Sequence, residues 1–220
     1  MYFVYGSAEV EYLKRRDKIL GEAIDKIGRI NRETDTDLFS SVVHHIIGQQ
    51  ISTKAQTTIW NRMKEKLGEV NEETIFAADI SQLQSLGMTF RKAEYIKDFA
   101  EKVIVGEFDL QEVAGLSDED AIKKLISLKG IGVWTAEMIL LFCLQRPDIF
   151  SFDDLAIQRG LRMLYHHRKI DRKLFEKYRR RFSPYCSVAS LYLWAIAGGA
   201  IPDMKDRGAG KKSRRNRQDR

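Results

Sequence analysis

The chain is short of the residues that build disulfide-stapled and metal-clustered proteins. Its 220 residues include two cysteines and three prolines. Two cysteines are too few for a disulfide scaffold or for a four-thiolate zinc or iron–sulfur site. Both Cys143 and Cys186 lie in apolar, helix-like runs, so we expect buried, reduced thiols and a reducing compartment. We accordingly expect no iron–sulfur cluster and no other required cofactor.

Long apolar runs and metal-ligand patterns are also missing. No segment reaches membrane-spanning length, and the N-terminus has no charged leader followed by an apolar core. We expect a cytoplasmic protein, nucleoid-associated if the cell has no nucleus, and no membrane partner. The His44-His45 and His166-His167 pairs have no third ligand at a convincing spacing, so no catalytic metal is expected.

The net charge of +6 comes from the C-terminal tail. Residues 205–220 contain eight Lys or Arg and two Asp, while the 29 basic and 29 acidic side chains of residues 1–204 cancel. A tail of this composition, without apolar periodicity, is predicted to be disordered. It either attracts phosphates nonspecifically or only keeps the chain in solution. Charge alone therefore does not establish a nucleic-acid partner.

Helical periodicity recurs along residues 1–204, and no clear strand alternation is present. The stretch 38–47 forms one apolar stripe that Asp35 or Thr36 can cap, and Ser117 with Asp120 resembles a capping box. The remaining stretches with helical periodicity cover roughly 8–27, 52–67, 72–78, 90–106, 118–128, 134–145, 154–165, 171–181 and 186–198. The pattern predicts an all-α fold.

A glycine-rich turn stands between two amphipathic helices in the string LKGIGVWTAEMILL (128–141). Gly130 and Gly132 flank Ile131, which can plug the turn into the core while the amides of the next helix point outward. Such amides form an anion site that suits a DNA phosphate and reads no sequence. An isolated GxG is more often a pair of ordinary capping glycines. The complete string with its flanking helices favours the phosphate-binding hairpin.

A pair of carboxylates, Asp153 and Asp154, lies between the apolar segment DIFSF and the amphipathic helix LAIQRGLRML. Taken alone, either aspartate is a good helix N-cap.

Three motifs in this order are similar to one known family: IIGQQIS (46–52), the hairpin string and FSFDDLAIQRGL (150–161). They resemble the helix-hairpin-helix DNA glycosylase superfamily, most closely its 3-methyladenine DNA glycosylase II branch. The resemblance covers roughly residues 36–200 and leaves no room for the N-terminal β-rich domain of some members. It implies one domain over residues 1–204, built from two helical lobes with an active-site cleft between them. The implied partner is double-stranded DNA containing a damaged base, bound by a monomer.

The resemblance also assigns the reacting and base-binding residues. It makes Asp154 the catalytic carboxylate, although the sequence leaves the reverse assignment to Asp153 open. Trp134 occupies the place where bifunctional relatives carry a lysine nucleophile, so base excision without lyase activity is expected. Trp134 and Trp194 correspond to pocket tryptophans, whose π faces suit a cationic alkylated base. Met138 is the third implied base-contacting residue, at a position that is often aromatic in relatives. Its thioether packs against a base with less electrostatic selectivity, and this leaves the lesion range open.

DNA contacts follow from the same resemblance. Gln50 is the implied wedge that fills the gap left by the flipped base, with Gln49 as its neighbour and alternative. The implied phosphate-binding residues of the hairpin are Lys129, Gly130, Gly132 and Thr135. A monovalent cation bound by hairpin carbonyls is compatible with the family.

The leading hypothesis is a monofunctional DNA glycosylase for 3-methyladenine and related methylpurines in base excision repair. One alternative is a glycosylase for another lesion, such as uracil or a deaminated purine. Another is a noncatalytic helix-hairpin-helix DNA-binding module. Asp154 separates enzyme from module, because a binding module has no need of a cleft carboxylate beside a tryptophan.

Overall fold

The computed structural model describes residues 1–35 and 37–208, and helices joined by turns and loops make up this part of the chain. Its helices, in chain order, are α1 (Ser7–Arg16), α2 (Lys18–Ile27), α3 (Leu38–Gly48), α4 (Thr53–Leu67), α5 (Glu72–Ala77), α6 (Ile80–Ser85), α7 (Phe90–Ile104), α8 (Leu110–Gly115), α9 (Asp118–Ile126), α10 (Val133–Phe142), α11 (Leu155–Tyr165), α12 (Arg172–Phe182) and α13 (Cys186–Ala197). Within the described residues the only β-type pairing is an isolated antiparallel bridge between Tyr2 and Glu33. The predicted all-α fold is confirmed.

Several helix boundaries differ from the sequence prediction. The stretch 8–27 is two helices, because Asp17 adopts an extended conformation and its side chain accepts a hydrogen bond from the Leu20 amide to cap α2. The cap of α3 is neither Asp35 nor Thr36 but Asp37, whose carboxylate accepts from the Ser40 amide. That prediction was wrong by one or two residues.

The described chain divides into two compact units. The first unit comprises residues 1–3 and 33–146, and the second comprises residues 4–32 and 147–220 as far as they are described. The predicted two helical lobes are thereby confirmed. The active-site cleft expected between them stays a prediction.

The first unit contains α3 to α10, with α3 packed against α4, α7 and α10. Phe39 of α3 stacks on Phe99 of α7 at a ring-centroid distance of 4.8 Å, and Phe99 meets Phe108 edge-on. These rings are buried. Burial of this apolar surface fixes α3 and α7 together and so places the two loops that follow α3 and α9.

The second unit contains α1, α2 and α11 to α13, and α13 is its central helix. Nearly every residue of α13 is buried, as expected for a helix that is apolar on all sides. Phe150, from the segment before α11, stacks on Phe175 of α12 with centroids 4.5 Å apart. The Ile149 amide of the same segment donates to the Ser187 hydroxyl of α13 at 3.0 Å. The segment leading to α11 is therefore held by α12 and α13.

The end of the described chain is fixed to α11. Asp206 accepts two hydrogen bonds from the Arg162 guanidinium, at 2.9 and 2.7 Å. The guanidinium holds the pKa of Asp206 well below its ordinary value, at about 2. Most of the predicted disordered tail, residues 209–220, lies outside the described residues. No described helix combines the length and apolarity needed to cross a bilayer.

Candidate active site

The hairpin predicted at 128–137 is a tight turn between two helices of the first unit. Helix α9 ends at Ile126, and α10 begins at Val133. Ile131 is buried and its amide donates to the Leu128 carbonyl at 3.2 Å, so this side chain does plug the turn into the core. Gly130 has a φ of +85°, and a Cβ there would lie 2.4 Å from a ring carbon of Tyr95. The turn therefore requires glycine at this position.

The N-terminus of α10 presents backbone donors. Gly132 is its N-cap and provides no capping side chain. First-turn amides of a helix lack acceptors within the helix, and the helix dipole adds partial positive charge there. Thr135 lies in this turn and is buried. The arrangement suits an anionic oxygen, as the sequence predicted.

Lys129, the predicted basic contact of the hairpin, forms an ion pair with Asp98 of α7 at 2.5 Å. Burial tends to raise the pKa of Asp98, but hydrogen bonds from Lys129 and Lys102 outweigh it, and the pKa lies below its ordinary value. The Lys129 side chain is itself well exposed. The Lys129 ammonium therefore ties the hairpin turn to α7 through Asp98 and also places a positive charge at the surface.

The two glutamines of the loop after α3 have different environments. The Gln49 amide nitrogen donates to the Gly130 carbonyl at 2.7 Å, which joins this loop directly to the hairpin turn. Gln50 is exposed and has a φ of +58°, in the left-handed region. The two residues therefore differ in environment, and the assignment of the wedge to one of them stays a prediction. Only Gln50 extends from the turn without a described role in holding it.

Lys92 of α7 holds the same loop and was missed by the sequence analysis. Its ammonium donates to the carbonyls of Ile47 and Gln49, at 2.8 and 2.6 Å. Burial lowers the pKa of Lys92. Since Lys92, Tyr95 and Asp98 are spaced three residues apart, one face of α7 contacts both the glutamine loop and the hairpin. A lysine in an amphipathic helix gives no sequence signal for such a contact.

Asp154 is the N-cap of α11 in the second unit and is 6% exposed. Its Oδ1 accepts hydrogen bonds from the amides of Ala156 and Ile157, at 2.9 and 2.8 Å. The indole Nε1 of Trp194 donates to the same oxygen at 3.1 Å. Three N–H donors on one oxygen fix the orientation of this carboxylate.

Asp153, by contrast, is exposed. The sequence analysis left its role open, and the structure gives the helix cap to Asp154 itself. The Asp154 side chain turns back toward the first-turn amides, as an N-cap side chain does, and is buried there.

Trp194 lies on α13 and reaches Asp154 because α11 and α13 approach closely. At Gly160 a Cβ would lie 2.4 Å from the Leu193 carbonyl oxygen, so only glycine permits this helix separation. Trp194 was predicted as a base-pocket residue, and the structure adds its hydrogen bond to the carboxylate.

The other predicted pocket residues lie on α10. Trp134 is the second residue of this helix, and its side chain is 42% exposed. Met138, one helical turn later, is only 3% exposed. Trp134 therefore offers a ring to solvent or ligand, and Met138 lies in the core beneath the surface.

The thiols and imidazoles lie in ordinary structural environments. Burial raises the pKa of Cys143 to about 11 and raises that of Cys186 further. The His45 Nδ1 lies 2.8 Å from the Ser41 carbonyl, and His44 lies beside Trp60. Over residues 1–35 and 37–208, no three His, Cys, Asp or Glu side chains are grouped so as to hold a metal ion.

Comparison with known proteins gives a consistent set of similarities. Residues 43–184 match the model of the HhH-GPD superfamily of base excision DNA repair proteins. A putative DNA-3-methyladenine glycosylase of Bacillus subtilis is 33% identical over 172 residues, 73% of this chain and 59% of that relative. The chain thus spans about three fifths of that relative's length.

Two solved structures are similar along most of their length. The crystal structure of a DNA-3-methyladenine glycosidase from Bacillus halodurans has a TM-score of 0.82 at 34% identity, covering 94% of this chain and 96% of the other. The 3-methyladenine DNA glycosylase Mag1 of Schizosaccharomyces pombe, solved in complex with abasic DNA, has a TM-score of 0.76 at 31% identity. That match covers 87% of this chain and 97% of Mag1.

Proposed function

The chain belongs to the HhH-GPD superfamily of base excision DNA repair proteins, and on that premise we propose that it is a monofunctional DNA glycosylase. Its proposed substrates are alkylated bases in duplex DNA, chiefly 3-methyladenine and related methylpurines; 3-methyladenine is the base that appears in the names of its relatives. The observation that carries the proposal is the buried Asp154 carboxylate, oriented by two helix amides and an indole N–H.

The chemistry of base removal explains what this carboxylate does. When the glycosidic bond of an alkylated purine breaks, its electron pair leaves with the cationic base and neutralises it. Positive charge then develops on the deoxyribose. A preplaced carboxylate stabilises that oxocarbenium-like state and accepts a proton from the attacking water, whose oxygen bonds to C1′. Asp154 is the group we propose for this role.

The absence of lyase activity is part of the proposal. A lyase needs an amine that forms a Schiff base with the sugar. By family resemblance the corresponding position is Trp134, whose indole contains no nucleophile. We therefore propose that the product is an intact strand with an abasic site.

Base and backbone recognition are proposed as follows. By family resemblance, the proposed contacts of the extruded base are the aromatic rings of Trp134 and Trp194 and the thioether of Met138. The backbone amides around Gly132 bind a phosphate, and Gln50 enters the duplex where the base has left.

A monovalent cation at the hairpin also stays a proposal. The carbonyls of the turn are its ligands by family resemblance. Two of these carbonyls already accept one hydrogen bond each, Gly130 from the Gln49 side-chain amide at 2.7 Å and Leu128 from the Ile131 amide at 3.2 Å. Each keeps a second lone pair for a cation.

A base-release assay tests the function. The purified full chain is incubated with methylated duplex DNA and with duplexes containing uracil or hypoxanthine, and the released bases are separated by chromatography. We expect 3-methyladenine release, with strands that break only after alkali. Release of uracil or hypoxanthine without release of 3-methyladenine would assign the enzyme to a different class of substrate. Release of none would reduce the chain to a DNA-binding module, and a product trapped by borohydride would contradict the monofunctional mechanism.

A further inference from the structure

Helix α12 carries a row of basic side chains on the face opposite its buried one. Phe175, Tyr178 and Phe182 are buried in the second unit. On the other side of the helix, Lys173, Lys177 and Arg180 are exposed. We name these three the α12 stripe. Because they are spaced four and three residues apart, their side chains share one face.

The stripe belongs to a strongly charged segment within an otherwise acidic body. Residues 166–181 contain eight Lys or Arg and two Asp or Glu, a net charge of +6. Residues 1–204 have 29 basic and 29 acidic side chains, so the rest of residues 1–204, outside this segment, has a net charge of −6. The net charge of residues 1–204 is zero only because the basic segment 166–181 is balanced by an acidic remainder.

Two arginines of α12 have structural ion pairs, and the stripe does not. Arg181 pairs with the buried Asp17 at 2.5 Å, and Arg179 lies 3.8 Å from Asp148. For the three stripe residues, no carboxylate lies within ion-pair distance anywhere in the described chain. Packing of α12 thus uses Arg179 and Arg181 and leaves the stripe available to a partner.

The stripe also opposes the stability of its own helix. Like charges one turn apart repel, and cations in a first helical turn are disfavoured by the helix dipole. Arg172 and Lys173 occupy that first turn, which has no acidic residue. Burial, then the charges of Lys177 and His166, lower the pKa of the neighbouring His167. The Asp171 carboxylate caps this helix by accepting a hydrogen bond from the Leu174 amide, but none of the three stripe residues has an ion pair in the described chain. Their excess positive charge is therefore not used to hold the fold.

We propose that the α12 stripe is a second contact surface for the backbone of duplex DNA, separate from the hairpin. It rises about 10 Å along the helix, close to the axial length of about three phosphates of one strand. Lysine and arginine bind phosphates without reading sequence. The stripe therefore holds undamaged DNA during the search for a lesion. This inference rests on the proposed function in one respect only, namely that duplex DNA is the molecule that the protein binds.

A membrane surface fits the stripe less well than DNA. Helices that lie on membranes insert large apolar side chains beside their basic ones. The apolar face of α12 is buried, and no large apolar side chain of residues 166–182 is exposed. Duplex DNA is a rigid polyanion that basic side chains can bind through charge alone, so it fits the stripe better than a membrane does.

The test compares two triple variants of the full chain. The first is Lys173→Gln, Lys177→Gln and Arg180→Gln. The matched control is Lys26→Gln, Lys64→Gln and Lys66→Gln, three exposed lysines that also have no described ion pair. Binding to an undamaged duplex is measured between about 50 and 200 mM salt, the range over which phosphate contacts dominate the salt dependence. Thermal unfolding of each variant verifies the fold.

We expect the stripe variant to lose roughly 2 to 3 units of the slope of log affinity against log salt, at about 0.9 per phosphate contact. The control should change by less than about one unit, because it removes only long-range attraction. A charge-preserving variant, Lys173→Arg with Lys177→Arg, should keep the wild-type slope. Single-turnover excision at saturating enzyme should be unchanged in all of them.

Two results would overturn the proposal: an unchanged slope in the stripe variant, or equal losses in the stripe and control variants. The second result would mean that only total charge matters. Because binding is measured on undamaged DNA, the outcome does not depend on base release. A wild-type protein that releases no base would refute the proposed function and leave this measurement intact.

Discussion

At the scale of single residues, Asp154 accepts one more hydrogen bond than a simple helix cap requires. Two donors to its Oδ1 are the first-turn amides expected for any N-cap. The third, the Trp194 indole, comes from another helix and is not needed for capping. Because this hydrogen bond comes from α13 and not from α11, it restricts the orientation of the carboxylate further than the two capping amides do. Trp194 is therefore a positioning residue for Asp154 as well as a proposed pocket wall.

Replacing Trp194 by phenylalanine tests this role. Trp194→Phe keeps an aromatic ring and removes the N–H donor. Hydrogen bonds to charged groups contribute about 1.5–3 kcal/mol, and about 1.4 kcal/mol corresponds to a tenfold change in rate. We expect the single-turnover excision rate to fall at least about tenfold, with DNA affinity nearly unchanged.

The matched control is Tyr192→Phe, which removes a polar atom from the same helix. The Tyr192 hydroxyl contacts the Tyr5 hydroxyl at 3.5 Å and has no described contact with Asp154. If both variants lost the same activity, the indole donor would have no special role.

At the scale of elements, one helix joins two functional loops. Helix α7 holds the loop after α3 through Lys92 and holds the hairpin turn through Tyr95 and Asp98. The Gln49 amide closes the connection by binding the Gly130 carbonyl. The proposed wedge and the proposed phosphate site therefore keep a fixed spacing within the first unit.

The Lys92→Met variant tests the importance of that spacing. It keeps a long side chain but removes the donors to the Ile47 and Gln49 carbonyls. We expect excision from a lesion-bearing duplex to fall about tenfold or more, since a loss of roughly 1 Å in positioning has a large effect on rate.

Lys97→Met is the control for Lys92→Met, because Lys97 makes the same kind of contact elsewhere. Its ammonium donates to the carbonyls of Phe76 and Ala78 at the end of α5. Both variants should lose similar stability in urea unfolding. Equal losses of activity would show that Lys92 acts only through general stability.

The contact between α11 and α13 supports a second element-scale prediction. Gly160→Ala places a Cβ 2.4 Å from the Leu193 carbonyl oxygen, so the helices must separate. We expect a loss of about 1–3 kcal/mol in the free energy of unfolding. Activity should fall too, because Asp154 and Trp194 lie on these two helices.

Gly115→Ala provides the comparison for Gly160→Ala. It also lies in a helix, but a Cβ there has no neighbour within 4 Å. Alanine should be neutral or slightly stabilising at this position. A Gly160→Ala protein as stable as Gly115→Ala would contradict the close approach of the two helices.

The sequence predicted these elements well where a periodic signal was present. Apolar stripes indicated the long helices, and the flanked glycines indicated the hairpin. It failed where the outcome depended on local competition, as at Asp37, which caps α3 although Asp35 and Thr36 were favoured. It also could not reveal the contacts of Lys92 or the hydrogen bond of Trp194, because these join residues far apart in sequence.

At the scale of the whole molecule, charge is distributed unevenly. The sequence analysis assigned the net positive charge to the tail and regarded the body as neutral. Helix α12 shows that the neutral sum contains a basic surface and an acidic remainder. DNA attraction is therefore proposed to act at three places: the hairpin, the α12 stripe and the tail.

Deleting residues 209–220 tests the contribution of the tail. The deletion removes six Lys or Arg and one Asp but retains Asp206, which is bound to Arg162. We expect weaker binding to undamaged duplex at low salt and little difference at high salt, because salt screens phosphate attraction. Excision at saturating enzyme should not change. Identical binding at low salt would leave the tail as a solubilising terminus.

The most direct test of the whole account compares Asp154→Asn with Asp153→Asn in single-turnover release of 3-methyladenine. The two substitutions make the same chemical change at adjacent residues, one buried and capping α11, the other exposed. We predict that Asp154→Asn abolishes release while DNA binding persists, and that Asp153→Asn stays close to wild type. Normal turnover by Asp154→Asn, or an equal loss in both variants, would contradict the assignment of Asp154 as the catalytic carboxylate.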